Sequence, residues 1–174
     1  AVAERLGIER AHGSYDDLLA DERLDAVYIP LPNGLHAEWI RRAADEGLHV
    51  LCDKPLTESA TETEAVFDYC EARDVVLMEA FMYRFNPRTE RAREIVETEL
   101  GDVVSVTAAF SFGMPEGATD IRLDPDLAGG SVMDVGCYAI SATRLFLGMP
   151  DRVYATTADT RNSGVDTRMV GVLE

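Results

Sequence analysis

Three short apolar runs, Ala26-Val27-Tyr28-Ile29, His49-Val50-Leu51-Cys52 and Val75-Val76-Leu77-Met78, recur at similar spacing through the first half of the chain. None alternates with polar residues, which is the pattern of a strand covered on both faces. The intervening segments read as helices. Over residues 34–46, His36, Ile40, Ala43 and Ala44 fall on one stripe, and Gly47 supplies a stop. Further on, Ser59-Ala60-Thr61-Glu62 has the spacing of a capping box, followed by Val66, Phe67 and Cys70 on an expected apolar face. Strand–helix–strand twice over specifies parallel βαβ units and an open α/β sheet.

The second half reads differently. A helix is expected from residue 87 to Leu100, with Ile95, Val96 and Leu100 inward and Gly101 as its stop. Val104, Val106, Ala108, Phe110 and Phe112 alternate in part, so Val103–Phe112 is expected to be a strand of a second, one-sided sheet. A polar loop spans 113–128, long enough to be functional. A helix over Val132–Leu147 and strands over 153–157 and 168–173 complete the reading. Ala1 to Gly7 resembles the tail of a helix, so the chain reads as an internal piece of a longer protein.

Composition narrows the partners. Net charge is −16, from 32 acids against 16 bases, which disfavours nucleic acid and anionic membranes. No apolar run is long enough to span a bilayer, and no signal-like segment opens the chain. Cys52, Cys70 and Cys137 have neither redox nor metal-ligand spacing, and His12, His36 and His49 do not cluster, so a reducing cytoplasm and no structural metal are expected. The acid-rich, lysine-poor composition suits a salt-rich cytoplasm, although a GC-rich genome also depletes lysine.

Lys54 is the only lysine, and it stands at the carboxyl end of the second apolar run. Open α/β sheets bind ligands beyond those ends. Here they read Pro30-Leu31-Pro32-Asn33, Asp53-Lys54-Pro55 and Glu79-Ala80-Phe81-Met82-Tyr83-Arg84. A compact ammonium with a tunable pKa is something arginine does not supply. In Asp134-Val135-Gly136-Cys137-Tyr138 the acid and the phenol are four apart on an expected helix, hence on one face. On the motif alone, a buried tyrosine satisfied by Asp134 explains that pair better than a reactive one does. Gly136 inside a helix costs about 1 kcal/mol against alanine and needs a reason, such as the close approach of a ligand or another backbone.

Taken in order, Pro32-Asn33-Gly34-Leu35-His36, Asp53-Lys54-Pro55, Met78-Glu79-Ala80-Phe81 with Arg84-Phe85 and Pro87, Gly129-Gly130, and Asp134-x-Gly136-x-Tyr138 resemble the Gfo/Idh/MocA family of NAD(P)-dependent oxidoreductases. The likeness covers nearly the whole chain, and tyrosine at 138 places it nearest a branch of sugar and dihydrodiol dehydrogenases. It implies a partial Rossmann-type parallel sheet over 1–86, without its Gly-rich loop. Residues 87–174 would then be part of an α+β domain with an open, mostly antiparallel sheet that pairs subunits into a homo-oligomer. It further implies NADP or NAD as cofactor, with no choice between them. Lys54 and Tyr138 would be catalytic, Asp134 would orient substrate, and Pro30, Pro32, Asn33, His36, Asp53, Lys54, Pro55 and Arg84 would line the cofactor site.

The reaction so implied is oxidation of a CH–OH group, as in an aldose such as D-xylose at C1, by hydride transfer to nicotinamide. A trans-dihydrodiol substrate is the alternative, or a non-catalytic nucleotide- or sugar-binding relative. A phenol near pKa 10 is a poor base at neutral pH. Lys54 beside it is therefore expected to favour the phenolate and lower that value. Position 53 is Asp where the family more often has Glu, a shortening expected to matter little if the carboxylate only orients Lys54. No G-x-G-x-x-G occurs in the chain.

Overall fold

The computed structural model describes residues 2–174. Two short helices, α1 (Val2–Leu6) and α2 (Tyr15–Leu19), precede a parallel sheet of β1 (Ala26–Ile29), β2 (His49–Cys52) and β3 (Leu77–Glu79). The sheet order is β1-β2-β3, with Ala26 opposite His49 and Val50 opposite Leu77. The apolar runs thus become neighbouring strands in chain order. The third strand starts two residues later than its apolar run: Val75 is buried at the corner before the strand, while Val76 is exposed, its carbonyl accepting from Val50 N–H and its own N–H donating to His49 Nδ1.

Two crossover helices, α3 (His36–Asp45) and α4 (Ala60–Glu71), pack against each other, and α3 also packs on β1 and β2. The stripe expected on α3 is the buried one: His36, Ile40, Ala43 and Ala44, with Ala37 added. On α4, Ser59 Oγ accepts from Glu62 N–H as the capping box requires, and Val66 and Cys70 are buried. Phe67 does not join them and is 42% exposed, because it lies off the stripe that meets α3.

The chain then enters a turn at Met82–Phe85 and helix α5 (Pro87–Ile95), whose last turn widens into a π-turn over Val96–Leu100. The widened turn swings Leu100 outward, so that it is 70% exposed instead of inward-facing. Val103–Phe112 carries no strand ladder, against expectation. Alternation prepares a segment for one face of a sheet, but a strand exists only where a neighbour accepts its backbone hydrogen bonds. The polar stretch that follows contains single turns at Ile121–Leu123 and Pro125–Leu127. Helix α6 (Cys137–Leu147) is entered through a second π-turn, Val132–Gly136. Last come β4 (Val153–Ala158) and β5 (Arg168–Leu173), an antiparallel pair with Val153 opposite Leu173.

Glycine at 34 eases a tight packing contact. A Cβ there would stand 3.3 Å from the Leu127 backbone, so the loop after β1 meets the Pro125–Leu127 turn backbone to backbone. Asn33 strengthens the same seam by donating from Nδ2 to Ala128 O at 2.9 Å. The two halves of the chain are therefore joined beside the carboxyl edge of the parallel sheet.

The core is concentrated between α3, α4 and the sheet, where Ile40 and Val66 are fully buried. Ile40→Ala is expected to lower stability by about 3 kcal/mol, the usual cost of a large-to-small core change. Phe67→Ala should cost well under half as much, which urea denaturation of the two variants will check.

Candidate active site

The residues after β2 and the π-turn before α6 meet across a cleft of about 850 Å³. Lys54, Met82, Tyr83, Phe110, Arg122, Asp134 and Tyr138 are among its lining, with small residues such as Ala108 and Ala142 between them. A smaller hollow of about 260 Å³ beside Phe67 and Val76 carries no comparable chemistry.

Lys54 leaves β2 after Cys52 and is joined to Pro55 by a cis peptide. Its Nζ donates to the backbone carbonyl of Asp134 and lies 3.2 Å from Asp134 Oδ1. The same ammonium stands 5.0 Å from the centre of the Tyr138 ring. Asp134 also takes Arg122, whose Nε is 3.1 Å from Oδ2. Lys54 and Asp134 retain only 14% and 17% of their side-chain exposure, so removing Asp134 strands the ammonium where little water reaches it, whereas Arg122 would still hold Asp134 without Lys54.

One carboxylate serves both cations through its two oxygens, Oδ1 toward Lys54 and Oδ2 toward Arg122. Asp134 sits in a π-turn, a rare element often found at functional sites. Gly136 closes that turn: a Cβ would lie 3.3 Å from Ser131 O and 3.7 Å from Met169 Cε. The tight neighbour is backbone, the Ser131 carbonyl at the start of the same turn.

Tyr138 packs edge-on to Phe81 with ring centres 5.4 Å apart and sits 5.5 Å from Phe110. Its hydroxyl faces Met82 Sδ at 3.5 Å. Burial pushes the phenol above its ordinary value, helped by Cys137, Asp53, Asp134 and Tyr28. The sequence-based expectation was the reverse, with Lys54 lowering it. In the structure Lys54 is engaged by Asp134 and stands over the ring face, so the carboxylate absorbs its charge.

The remaining expected site residues divide. Pro30 is exposed and Pro32 half-buried at the β1 end, beside the cleft's seam. Asn33 is turned to Ala128. Asp53 donates its backbone N–H to Ile29 O, while the carboxylate that orients Lys54 is Asp134. Pro55 is buried. His36 is fully buried, with Nδ1 2.9 Å from Pro55 O and Nε2 2.8 Å from Leu31 O, so it presents no surface to a cofactor. Arg84 is exposed on the Met82–Phe85 turn and is not among the cleft's lining.

Arg122 and Tyr83 were missed from sequence. Arg122 lies in the polar 113–128 stretch, where Asp120 caps its turn by accepting from Arg122 N–H at 2.9 Å; that Asp-x-Arg pattern was the available signal. Tyr83 Oη is 2.8 Å from Ser141 Oγ, tying the turn after β3 to α6.

The carboxyl edge of the parallel sheet thus brings its lone lysine to face a phenol and a carboxylate from the second half of the chain. Residues 1–81 match the family described as "Oxidoreductase family, NAD-binding Rossmann fold", and residues 89–174 match the "GFO/IDH/MocA C-terminal domain". The chain belongs to the Gfo/Idh/MocA oxidoreductase family. It is 76% identical over 174 residues to D-xylose 1-dehydrogenase (NADP(+)) 2 of Haloferax volcanii, covering all of this chain and 54% of that protein. Among solved structures it resembles a 3-ketoreductase from Actinomadura kijaniata in complex with NADP and TDP-benzene, at 36% identity and TM-score 0.86, over 97% of this chain and 52% of that one. A levoglucosan dehydrogenase in complex with NADH and levoglucosan superposes with TM-score 0.88 at 25% identity, over 99% and 50% of the two chains. The chain spans about half the length of the curated relatives it matches.

The three thiols give a direct check of this environment. Burial pushes Cys52 up to about 12 and Cys137 up to about 11, and raises Cys70 as well. Thiolates are the reactive form, so alkylation by iodoacetamide at pH 8 should leave all three unmodified in the folded protein and label them once it is unfolded. Rapid labelling of Cys137 in the native state, read by mass spectrometry, would contradict the burial described.

Proposed function

We propose that the complete protein carrying this chain is a cytoplasmic NADP- or NAD-dependent dehydrogenase that oxidises a CH–OH group of a sugar, with an aldose such as D-xylose at C1 the leading substrate. The observation that carries this reading is the convergence of Lys54, Asp134 and Tyr138 on one cleft beside the carboxyl edge of the parallel sheet. The likeness to the Haloferax volcanii enzyme supports the substrate and favours NADP.

Fit to a dinucleotide is partial, at the nicotinamide end. Pro30, Pro32, Asp53 and Lys54 edge the seam where that end would rest, and the cleft has room for a nicotinamide and a sugar ring side by side. Bound nicotinamide supplies a hydride acceptor. The chain's own residues do the rest. Lys54 donates to the reacting oxygen, and Asp134 holds that ammonium in place. Tyr138 exchanges the hydroxyl proton. Phe110, Met82 and Tyr83 exclude water from the reacting carbon.

We assign residues 1–86 to the dinucleotide-binding unit and 87–174 to the substrate unit. The exposed β4–β5 pair, with Tyr154 56% and Val170 63% exposed, supports pairing between subunits. The apolar wall of the cleft supports a second reading, in which a cyclic trans-diol with one apolar face is the substrate. Assaying D-xylose and a trans-dihydrodiol in parallel separates the two.

A phenol held above its ordinary value is protonated at neutral pH and becomes a base only as pH rises. Oxidation should therefore accelerate from neutral toward alkaline pH, and a rate falling over that range would contradict Tyr138 as base. Tyr138→Phe in the complete protein should lower turnover by about 10²-fold or more, the scale of a lost general base, while cofactor binding persists. Near-normal turnover in that variant excludes Tyr138 as the proton carrier.

A further inference from the structure

His36 and Glu79 are shielded, ionisable side chains that the chemistry above leaves without a task, and both face the turn that carries Lys54. His36 opens α3 and is fully buried. Its ring bridges Pro55 O at 2.9 Å and Leu31 O at 2.8 Å. Glu79 ends β3, and its Oε1 accepts from Leu56 N–H at 2.8 Å. Burial pushes the Glu79 carboxyl up, against the Leu56 N–H bond and the charges of Arg84, Arg144 and His36.

We propose that His36 and Glu79 are positioning residues that grip the Lys54-Pro55-Leu56 turn from two sides and so fix where Lys54 Nζ stands; this builds on the role given to Lys54 above. Pro55 has no N–H, and its carbonyl and the following Leu56 N–H are two backbone handles of the turn. Each handle is met by one of these two side chains. The ladder itself ends just before them, with Asp53 N–H on Ile29 O and Ala80 N–H on Cys52 O. Beyond that point no strand bond holds the lysine's backbone.

The chemistry of the grip follows from the partners. Both ring nitrogens lie within hydrogen-bond reach of a carbonyl, so whichever nitrogen carries the hydrogen donates to one of the two loops. The ring then ties the loop after β1 to the loop after β2, the two loops that edge the seam. Glu79 adds the end of β3 to the same knot. A shift of the turn by 1 Å would move the ammonium off the reacting oxygen, and misplacement on that scale costs about 10²-fold in rate.

Four variants of the complete protein test the proposal, with amide hydrogen exchange as the second readout. Glu79→Gln keeps an acceptor at the same reach and should keep turnover near that of the parent. Glu79→Leu and His36→Phe remove the grip and should lower kcat by about 10²-fold, with KM for the sugar and the melting temperature little changed. In Glu79→Leu the Leu56 amide should exchange much faster than in the parent. Lys54→Met should lower turnover at least as far as these substitutions do, with a residual rate still measurable. If Lys54→Met stays as active as the parent, the assignment of Lys54 fails first. If Lys54→Met is slow while Glu79→Leu and His36→Phe turn over normally, the positioning role is overturned. A loss of melting temperature with turnover retained by the folded fraction also overturns it, since that is a purely structural role. Should both variants fail to fold, exchange in the parent decides: a Leu56 amide as unprotected as those of exposed loops refutes the grip, and strong protection supports it.

Discussion

One partly shielded ion pair organises this molecule. Lys54 comes from the end of a parallel strand and Asp134 from a π-turn 80 positions further on, and their contact closes the cleft between them. Lys54 depends on this contact because water is scarce there, whereas Asp134 is held by Arg122 as well. The loop seam beside it, where Gly34 lets two backbones touch and Asn33 reaches Ala128, keeps the two halves close enough for the pair to form. Cleft, pairing and seam are one construction.

The pairing has a consequence for acid–base behaviour. An ammonium free to face the phenol would stabilise its ionised form. Here the carboxylate takes that charge, and the phenol stays protonated in a ring of Phe81, Tyr83 and Phe110. A substrate hydroxyl entering between Lys54 and Tyr138 would compete with Asp134 for the ammonium and complete the proton path. The aromatic ring around Tyr138 also supplies the apolar wall against which a sugar's C–H face packs.

Much of this was legible in sequence, and the failures have physical causes. Unbroken apolar runs gave β1 and β2 directly, and the stripe His36–Ile40–Ala43–Ala44 gave the buried face of α3. Lys54, Asp134 and Tyr138 were found because their spacing repeats a family pattern, and they do share the cleft. Tertiary context decided the rest. Val103–Phe112 had the alternation of a strand but no neighbour to accept its hydrogen bonds. Leu100 was misassigned because a π-turn shifts the helical register, which no pattern of 3.6 residues reveals. His36 looked like a ligand-facing polar residue, yet it is the most deeply buried polar side chain described. Arg122 carried no periodic signal, since a lone arginine in a polar loop finds its partner only in three dimensions.

The dependence of the amine on the phenol is most directly measured by a kinetic double-mutant cycle on Lys54→Met and Tyr138→Phe in the complete protein. Residues that act as a unit are grossly non-additive. A shared proton path predicts a double variant about as slow as the slower single one. Losses that multiply, as for two independent sites, would contradict it.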